Sequence, residues 1–207
     1  MATAKGALVK RDAALYLGER RDLSISMAKA NLYSFAILPL VALLTAVFVY
    51  LWGYDALSDG STFERPVVGT VVVYVIGSLV VALGVMAHEA IHGLSWAYFG
   101  GKPMSTIKFG FQVKTFTPYA HCKEPIEARA YRIGAAMPGF VLGMLPSLLG
   151  IATGNGWIML FGLFFTFAAG GDLLILWLIR KVGAKALVED HPTNAGCYVY
   201  EPRGEQG

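Results

Sequence analysis

Charge is scarce in this sequence. Asp, Glu, Lys and Arg make up 15% of its 207 residues, where a soluble domain carries about a quarter. The shortage is patterned. The apolar residues, 56% of the chain, gather into four runs of about twenty, the length a helix needs to cross roughly 30 Å of hydrocarbon. A water-soluble globule is thereby excluded. The net charge of +3 is too small for a nucleic-acid partner, and there is no basic and aromatic stripe. No internal repeat and no low-complexity stretch divides the chain, so one domain is expected. A cleaved signal is not indicated either. The first apolar run starts at Tyr33 behind a long polar segment and has no small-residue cleavage site after it, so it reads as an uncleaved span.

The four runs are Tyr33 to Trp52, Val67 to Phe99, Ile133 to Ala152 and Trp157 to Ile179. The second is free of charge through Ala87 and continues as HEAIHGLSWAYF. As one helix it would be about 50 Å long at 1.5 Å per residue, so it must tilt or project. Pro138 and Pro146 loosen the third run, and Asp172 is the only ionisable residue of the fourth. Lys and Arg number six in residues 1–32, one (Arg65) in 53–66, six in 100–132, none in 153–156 and four from Arg180 onward. Three basic regions thus alternate with two depleted ones. The positive-inside rule expects that pattern of four spans with both termini cytoplasmic. This divides the chain into a cytoplasmic segment (1–32), a four-span domain (33–180) and a cytoplasmic tail (181–207).

Between spans two and three the period changes. Ile107, Phe109, Phe111 and Val113 alternate with Lys108, Gly110, Gln112 and Lys114, which indicates a strand that Thr117-Pro118 ends. The expected class is an all-α polytopic membrane protein with about four transmembrane helices and a short cytoplasmic β-hairpin between spans two and three. The tail after Glu189, with His-Pro, Asn-Ala-Gly and Arg-Gly, reads as irregular or disordered.

The chemistry concentrates in His88-Glu89-Ala90-Ile91-His92. Histidines four apart project from nearly one helix face and can grip one Zn²⁺. Glu89, about 100° around, can reach a metal-bound water without ligating the metal. Zinc lowers the pKa of that water, and the carboxylate takes its proton as the water attacks a carbonyl. At this chain's own His and Glu frequencies the pattern arises by chance in about three chains per thousand, so it is specific. A catalytic zinc wants a third protein ligand. Asp172 is the best candidate, because His92 and Asp172 lie at matching depth near the cytoplasmic ends of their spans. Gly170 and Gly171 on one helix, with Gly77 and Gly84 on the other, would allow close approach. Glu124 and Glu127 are rival third ligands in the loop. His121-Cys122 is a possible accessory pair, either a further ligand or a thiolate that blocks the metal, against the plainer reading of a reduced cytoplasmic cysteine beside a loop histidine. Cys197 is also placed in the cytoplasm, so no structural disulfide is expected, and His191 is assigned no role.

An HExxH on a membrane helix with an aspartate in a later span resembles the site-2 protease group of intramembrane zinc metalloproteases. The four-span layout with HEAIHG, the YAHC stretch and GGD is similar to small bacterial zincin-peptidase membrane proteins over roughly residues 30–185. The resemblance implies Zn²⁺ held by His88, His92 and Asp172, with Glu89 as base. It further implies peptide-bond hydrolysis at or within the cytoplasmic boundary of a bacterial plasma membrane. The partners implied are the lipid bilayer and a membrane protein or peptide substrate whose helix unwinds to reach the metal, held by edge pairing on the 107–113 strand. One departure is local: site-2 proteases set the aspartate in Pro-Asp-Gly or Leu-Asp-Gly, whereas here Gly-Gly-Asp precedes Leu173. Two alternatives stand beside this reading. One is a membrane-anchored HtpX-like zinc peptidase with a glutamate ligand, and the other is a non-enzymatic metal-binding membrane protein.

Overall fold

The computed structural model describes residues 20–57, 66–112 and 117–201. Val113 and Lys114 of the expected strand, Arg65, Arg203 and the first nineteen residues lie outside the described residues. Among the described residues, four helices are long and apolar enough to cross a membrane: α1 (Met27–Trp52), α2 (Val67–Phe99), α3 (Ala128–Thr153) and α4 (Gly156–Leu178). Around them, among the described residues, are six strands. β1 (Arg20–Ile25) precedes α1, and β2 (Ile107–Gln112) and β3 (Thr117–Cys122) follow α2. β4 (Ile126–Glu127) leads into α3, and β5 (Leu187–Asp190) and β6 (Ala195–Tyr200) follow α4.

The helices carry the marks of their residues. α2 runs unbroken for 33 residues. It stops where Gly101 adopts a left-handed φ of 61° and the Lys102 N–H donates back to the Ala97 carbonyl, a glycine-terminated helix end. In α3, Pro138 and Pro146 flank a π-helical stretch, Gly139–Met144, because a proline supplies no N–H to the carbonyl four residues back and its ring crowds that carbonyl. The tight turn between α3 and α4 depends on Gly154, at φ 69°.

Close backbone approach occurs between α3 and α4. A Cβ on Gly143, Gly150 or Gly162 would lie 2.7, 2.7 or 2.3 Å from the backbone nitrogen of Thr166, Met159 or Ser147. The glycines expected to join α2 and α4 act differently. Gly84 receives the ring of Phe165, and Gly170 meets the Ser34 carbonyl on α1, while Gly77 and Gly171 face open space. An aromatic ring and the ionisable cluster fill the gap between α2 and α4, so those backbones stay apart.

The strands correct the all-α expectation: the fold is predominantly helical but includes two antiparallel sheets. β1, β6, β5 and β4 form one sheet in that order. β1 pairs with β6 from Arg20↔Tyr200 to Ile25↔Ala195. Because these strands adjoin the start of α1, the start of α3 and the end of α4, they gather those ends on one side of the helix bundle. The tail is therefore not irregular up to Tyr200. Its turn residues close a hairpin in which His191 Nδ1 accepts the N–H groups of Thr193 (3.1 Å) and Asn194 (2.8 Å). The second sheet is the β2–β3 hairpin, paired from Ile107↔Cys122 to Gln112↔Thr117. Thr117-Pro118 opens its return strand rather than ending it, and His121-Cys122 lies within that strand. The hairpin rests on α2, where Ile107 and Phe109 crowd Gly93. Ile107, Cys122, Ile126, Val188 and Val199 join Trp96 and Tyr131 in a core between the hairpin, the larger sheet and the helix ends.

Candidate metal centre

His88 and His92 are buried on one face of α2, at 8% and 6% exposure. Asp172 comes from α4, where the helix breaks step at Ala169 and restarts at Gly170. It stands in the first turn of that restarted segment, where the helix dipole favours an anion. One carboxylate oxygen lies 3.2 Å from His88 Nε2 and the other 3.3 Å from His92 Nε2. Donor atoms of the three residues all fall within 4.8 Å of one another, the one such group among the described residues.

The chemistry of these donors can be read from their outer partners. His92 Nδ1 lies 2.9 Å from the carbonyl oxygen of Gly134. A carbonyl only accepts, so Nδ1 carries the proton and, in the neutral ring, Nε2 presents its lone pair. That carbonyl is available because the residue four positions on is Pro138, which has no N–H to give it. The lone pair of Nε2 thus faces a carboxylate, two acceptors that need a cation or a proton between them. A tetrahedral metal with bonds of about 2.0–2.1 Å holds its donor atoms about 3.3 Å apart. The two nitrogen–oxygen separations match that edge, and both exceed the usual length of a direct charge-assisted bond, about 2.7–2.9 Å. Two imidazoles and a carboxylate are a zinc donor set, so the residues fit the ion. His88 Nδ1 is buried without a hydrogen-bond partner among the described residues.

Glu89 is half-buried, and its carboxylate lies against the backbone N–H of Ala120 on β3. Stacked rings support the ligand face from below. His92 stacks on Trp96 with centroids 5.2 Å apart, and Trp96 stacks on Tyr131 at 5.4 Å.

The other candidates lie elsewhere. Glu124 pairs with Lys102 Nζ at 2.8 Å, Glu127 is exposed beside α3, and neither joins the cluster. His121 stands outside the cluster: its Nδ1 lies 3.1 Å from Asp190 Oδ2, and that bond raises its pKa above the ordinary value despite partial burial. Cys122 also stands outside the cluster. Burial pushes its pKa up, and its thiol donates to the Glu124 carbonyl at 3.2 Å. Both cysteines are free and buried, with Cys197 pushed up to about 12 by desolvation. His191, given no role from sequence, holds its turn together and meets the Tyr198 hydroxyl at 3.0 Å. Sequence reasoning missed Trp96, Gly134, Ala120 and Asp190. The first had a signal, since positions 88, 92 and 96 continue one helix face. The others act through backbone atoms or across long separations and had none.

Set against known proteins, residues 81–187 match a family model described as putative zincin peptidase. The match takes in α2 from its middle, the hairpin, α3, α4 and the start of β5. No curated protein and no solved structure matches the chain.

Proposed function

The chain belongs to the putative zincin peptidase family, and from that membership we propose a membrane-embedded zinc metallopeptidase that cuts peptide bonds at the cytoplasmic membrane boundary. The observation that carries the reading is the triangle of His88, His92 and Asp172, with donor separations of 3.2 and 3.3 Å and Glu89 beside it. Zinc bound there supplies Lewis acidity, lowering the pKa of water and polarising a carbonyl. The chain's own groups do the rest. His88, neutral His92, held in one tautomer by Gly134, and Asp172, set at a helix start, would hold the ion. Glu89 takes the proton from the attacking water as the C–O bond forms at the carbonyl carbon, and then hands it to the amide nitrogen as the C–N bond breaks.

The substrate proposed is a segment of a membrane protein or a membrane-bound peptide. A cleft of about 1020 Å³ runs along α2 and α4, and its lining includes Gly77, Ala82, Met86, Leu160, Phe111 and Pro118. Val85 and Met86 on that lining stand one turn before His88 and Glu89 on α2, so the cleft ends about one helical turn from the cluster. Apolar walls suit an apolar segment arriving from the bilayer. The orientation, with the site and both termini cytoplasmic, is supported by the sixteen Lys and Arg outside the 53–66 loop against one within it. The HtpX-like alternative needs a glutamate ligand, and the engagement of Glu124 by Lys102 and the exposure of Glu127 leave it without support.

The test uses the full chain purified in detergent, with zinc content and hydrolysis of fluorescein-labelled casein as readouts. Glu89→Gln is expected to keep about one zinc per chain and lose hydrolysis, whereas His88→Ala loses the metal. If Glu89→Gln hydrolyses casein as fast as the unaltered chain, the enzyme reading fails. If no hydrolysis accompanies full zinc loading, the metal-binding alternative is favoured.

A further inference from the structure

The family match ends at residue 187, three residues short of an acidic side chain that no step above uses. Asp190 ends β5, and its side chain is 15% exposed. Its Oδ2 accepts the Cys122 backbone N–H at 3.3 Å and faces His121 Nδ1 at 3.1 Å. Its Oδ1 accepts the Tyr131 hydroxyl at 2.5 Å. A largely buried carboxylate is costly unless donors satisfy it, and these three come from two different elements, β3 and α3. β5 is itself paired on both sides, to β4 and β6, so the carboxylate stands on a rigid support.

Each of the two elements leads to the metal centre. Along β3, the Cys122 N–H points to Asp190 and away from the paired strand. In an antiparallel ladder, residues two apart direct their backbone groups to the same edge. The Ala120 N–H therefore points the same way, and it meets Glu89. From α3, the Tyr131 ring lies under Trp96, which lies under His92, and the Trp96 indole N–H donates to the Tyr131 carbonyl at 3.2 Å. One carboxylate thus holds the strand that orients the base and the stack that supports a metal ligand.

We infer that Asp190 is a positioning residue for the metal centre, fixing the β2–β3 hairpin and the Tyr131–Trp96–His92 stack in register so that Glu89 stands correctly beside the His88–His92–Asp172 triangle. The inference rests on the peptidase reading for its activity readout and on geometry alone for the docking of the hairpin. Asp190→Asn keeps the size of the side chain but removes its charge and one of its two acceptor oxygens. Glu89 then loses its fixed partner while all three ligands remain.

The experiment compares the full chain with Asp190→Asn and Tyr131→Phe, all in a Cys197→Ala background so that Cys122 is the single thiol. Three quantities are read: kcat and KM on labelled casein, zinc content, and the rate at which a maleimide modifies Cys122. For Asp190→Asn the expected result is a kcat lower by about tenfold or more, in the range seen when outer-shell partners are removed. KM stays within about twofold, zinc stays near one per chain, and Cys122 is modified several-fold faster. Tyr131→Phe, which breaks only the link to the stack, lowers kcat in the same direction without speeding modification. Unchanged kcat per zinc-loaded molecule in both variants overturns the inference, even if their melting temperatures fall. Should Asp190→Asn not fold, Tyr131→Phe decides by the same criterion. If the unaltered chain binds zinc yet leaves casein intact, that counts against the peptidase reading alone. The labelling then decides the docking, and equal rates with and without Asp190 overturn it.

Discussion

At the scale of residues, the second nitrogen of His92 shows how a backbone detail sets ligand chemistry. Pro138 leaves the Gly134 carbonyl without a helical donor, and His92 Nδ1 fills the gap at 2.9 Å. Pro138→Ala restores an N–H that competes for that carbonyl. Zinc affinity measured by chelator competition should fall about tenfold or more, although alanine favours the helix. Asp172→Ala should weaken zinc binding further still, while Glu124→Ala/Glu127→Ala should leave it within about twofold, since neither glutamate faces the histidines. His121 gives a pH signature. Its pKa is raised first by the bond to Asp190, and Asp190 and Glu189 on β5 and Lys108 on β2 are the charges that act on it. A raised folded-state pKa means stabilisation that is complete below the unfolded value of 6.5 and lost as pH rises through the folded one. The melting-temperature gap between the unaltered chain and His121→Gln should therefore be widest below about pH 6.5 and shrink on raising the pH. A gap that widens with pH would contradict the assignment.

At the scale of elements, the spans were legible because hydropathy and length are local properties. The α3 prolines announced an irregular helix, and the structure puts a π-helical stretch between them. Contacts between spans were less legible. Glycines on α2 and α4 suggested that those helices touch, yet the close approach is α3 on α4. Nothing in spacing says which neighbour a small residue meets. Gly162→Ala, whose new Cβ would lie 2.3 Å from the Ser147 backbone nitrogen, should cost about 1–3 kcal/mol in detergent unfolding. Gly77→Ala faces open space and should be neutral or slightly stabilising. The reverse order would place the helix contact on α2. Strand β6 was missed because its Asn-Ala-Gly and His-Pro neighbours resemble the punctuation of a disordered tail, and the same residues also close hairpins.

At the scale of the whole molecule, the larger sheet ties residues 20–25 to 195–200, gathering the start of α1 and the end of α4 beside the hairpin. The proposed orientation puts that end in the cytoplasm. Both natural cysteines are buried, so the check uses exposed positions. Asp55→Cys, in the connection beyond α1, should react with an impermeant maleimide on intact cells. Lys181→Cys, beyond α4, should react only after the membrane is opened. Labelling of Lys181→Cys from outside would turn the protein over and move the metal centre to the other face.

The sequence by itself determined the four runs long and apolar enough to cross a membrane, the alternation of loop charge and the paired histidines with their glutamate. Each of these is written in composition or in a period of a few residues. Only the tertiary structure decided that Asp172, not Glu124 or Glu127, faces the histidines. The same holds for the Gly134 carbonyl that orients His92 and for Asp190, which links the hairpin to the ring stack from 59 to 69 residues away. Such contacts depend on how helices and strands pack in three dimensions. Packing brings together side chains and backbone atoms whose separation along the chain carries no periodic trace.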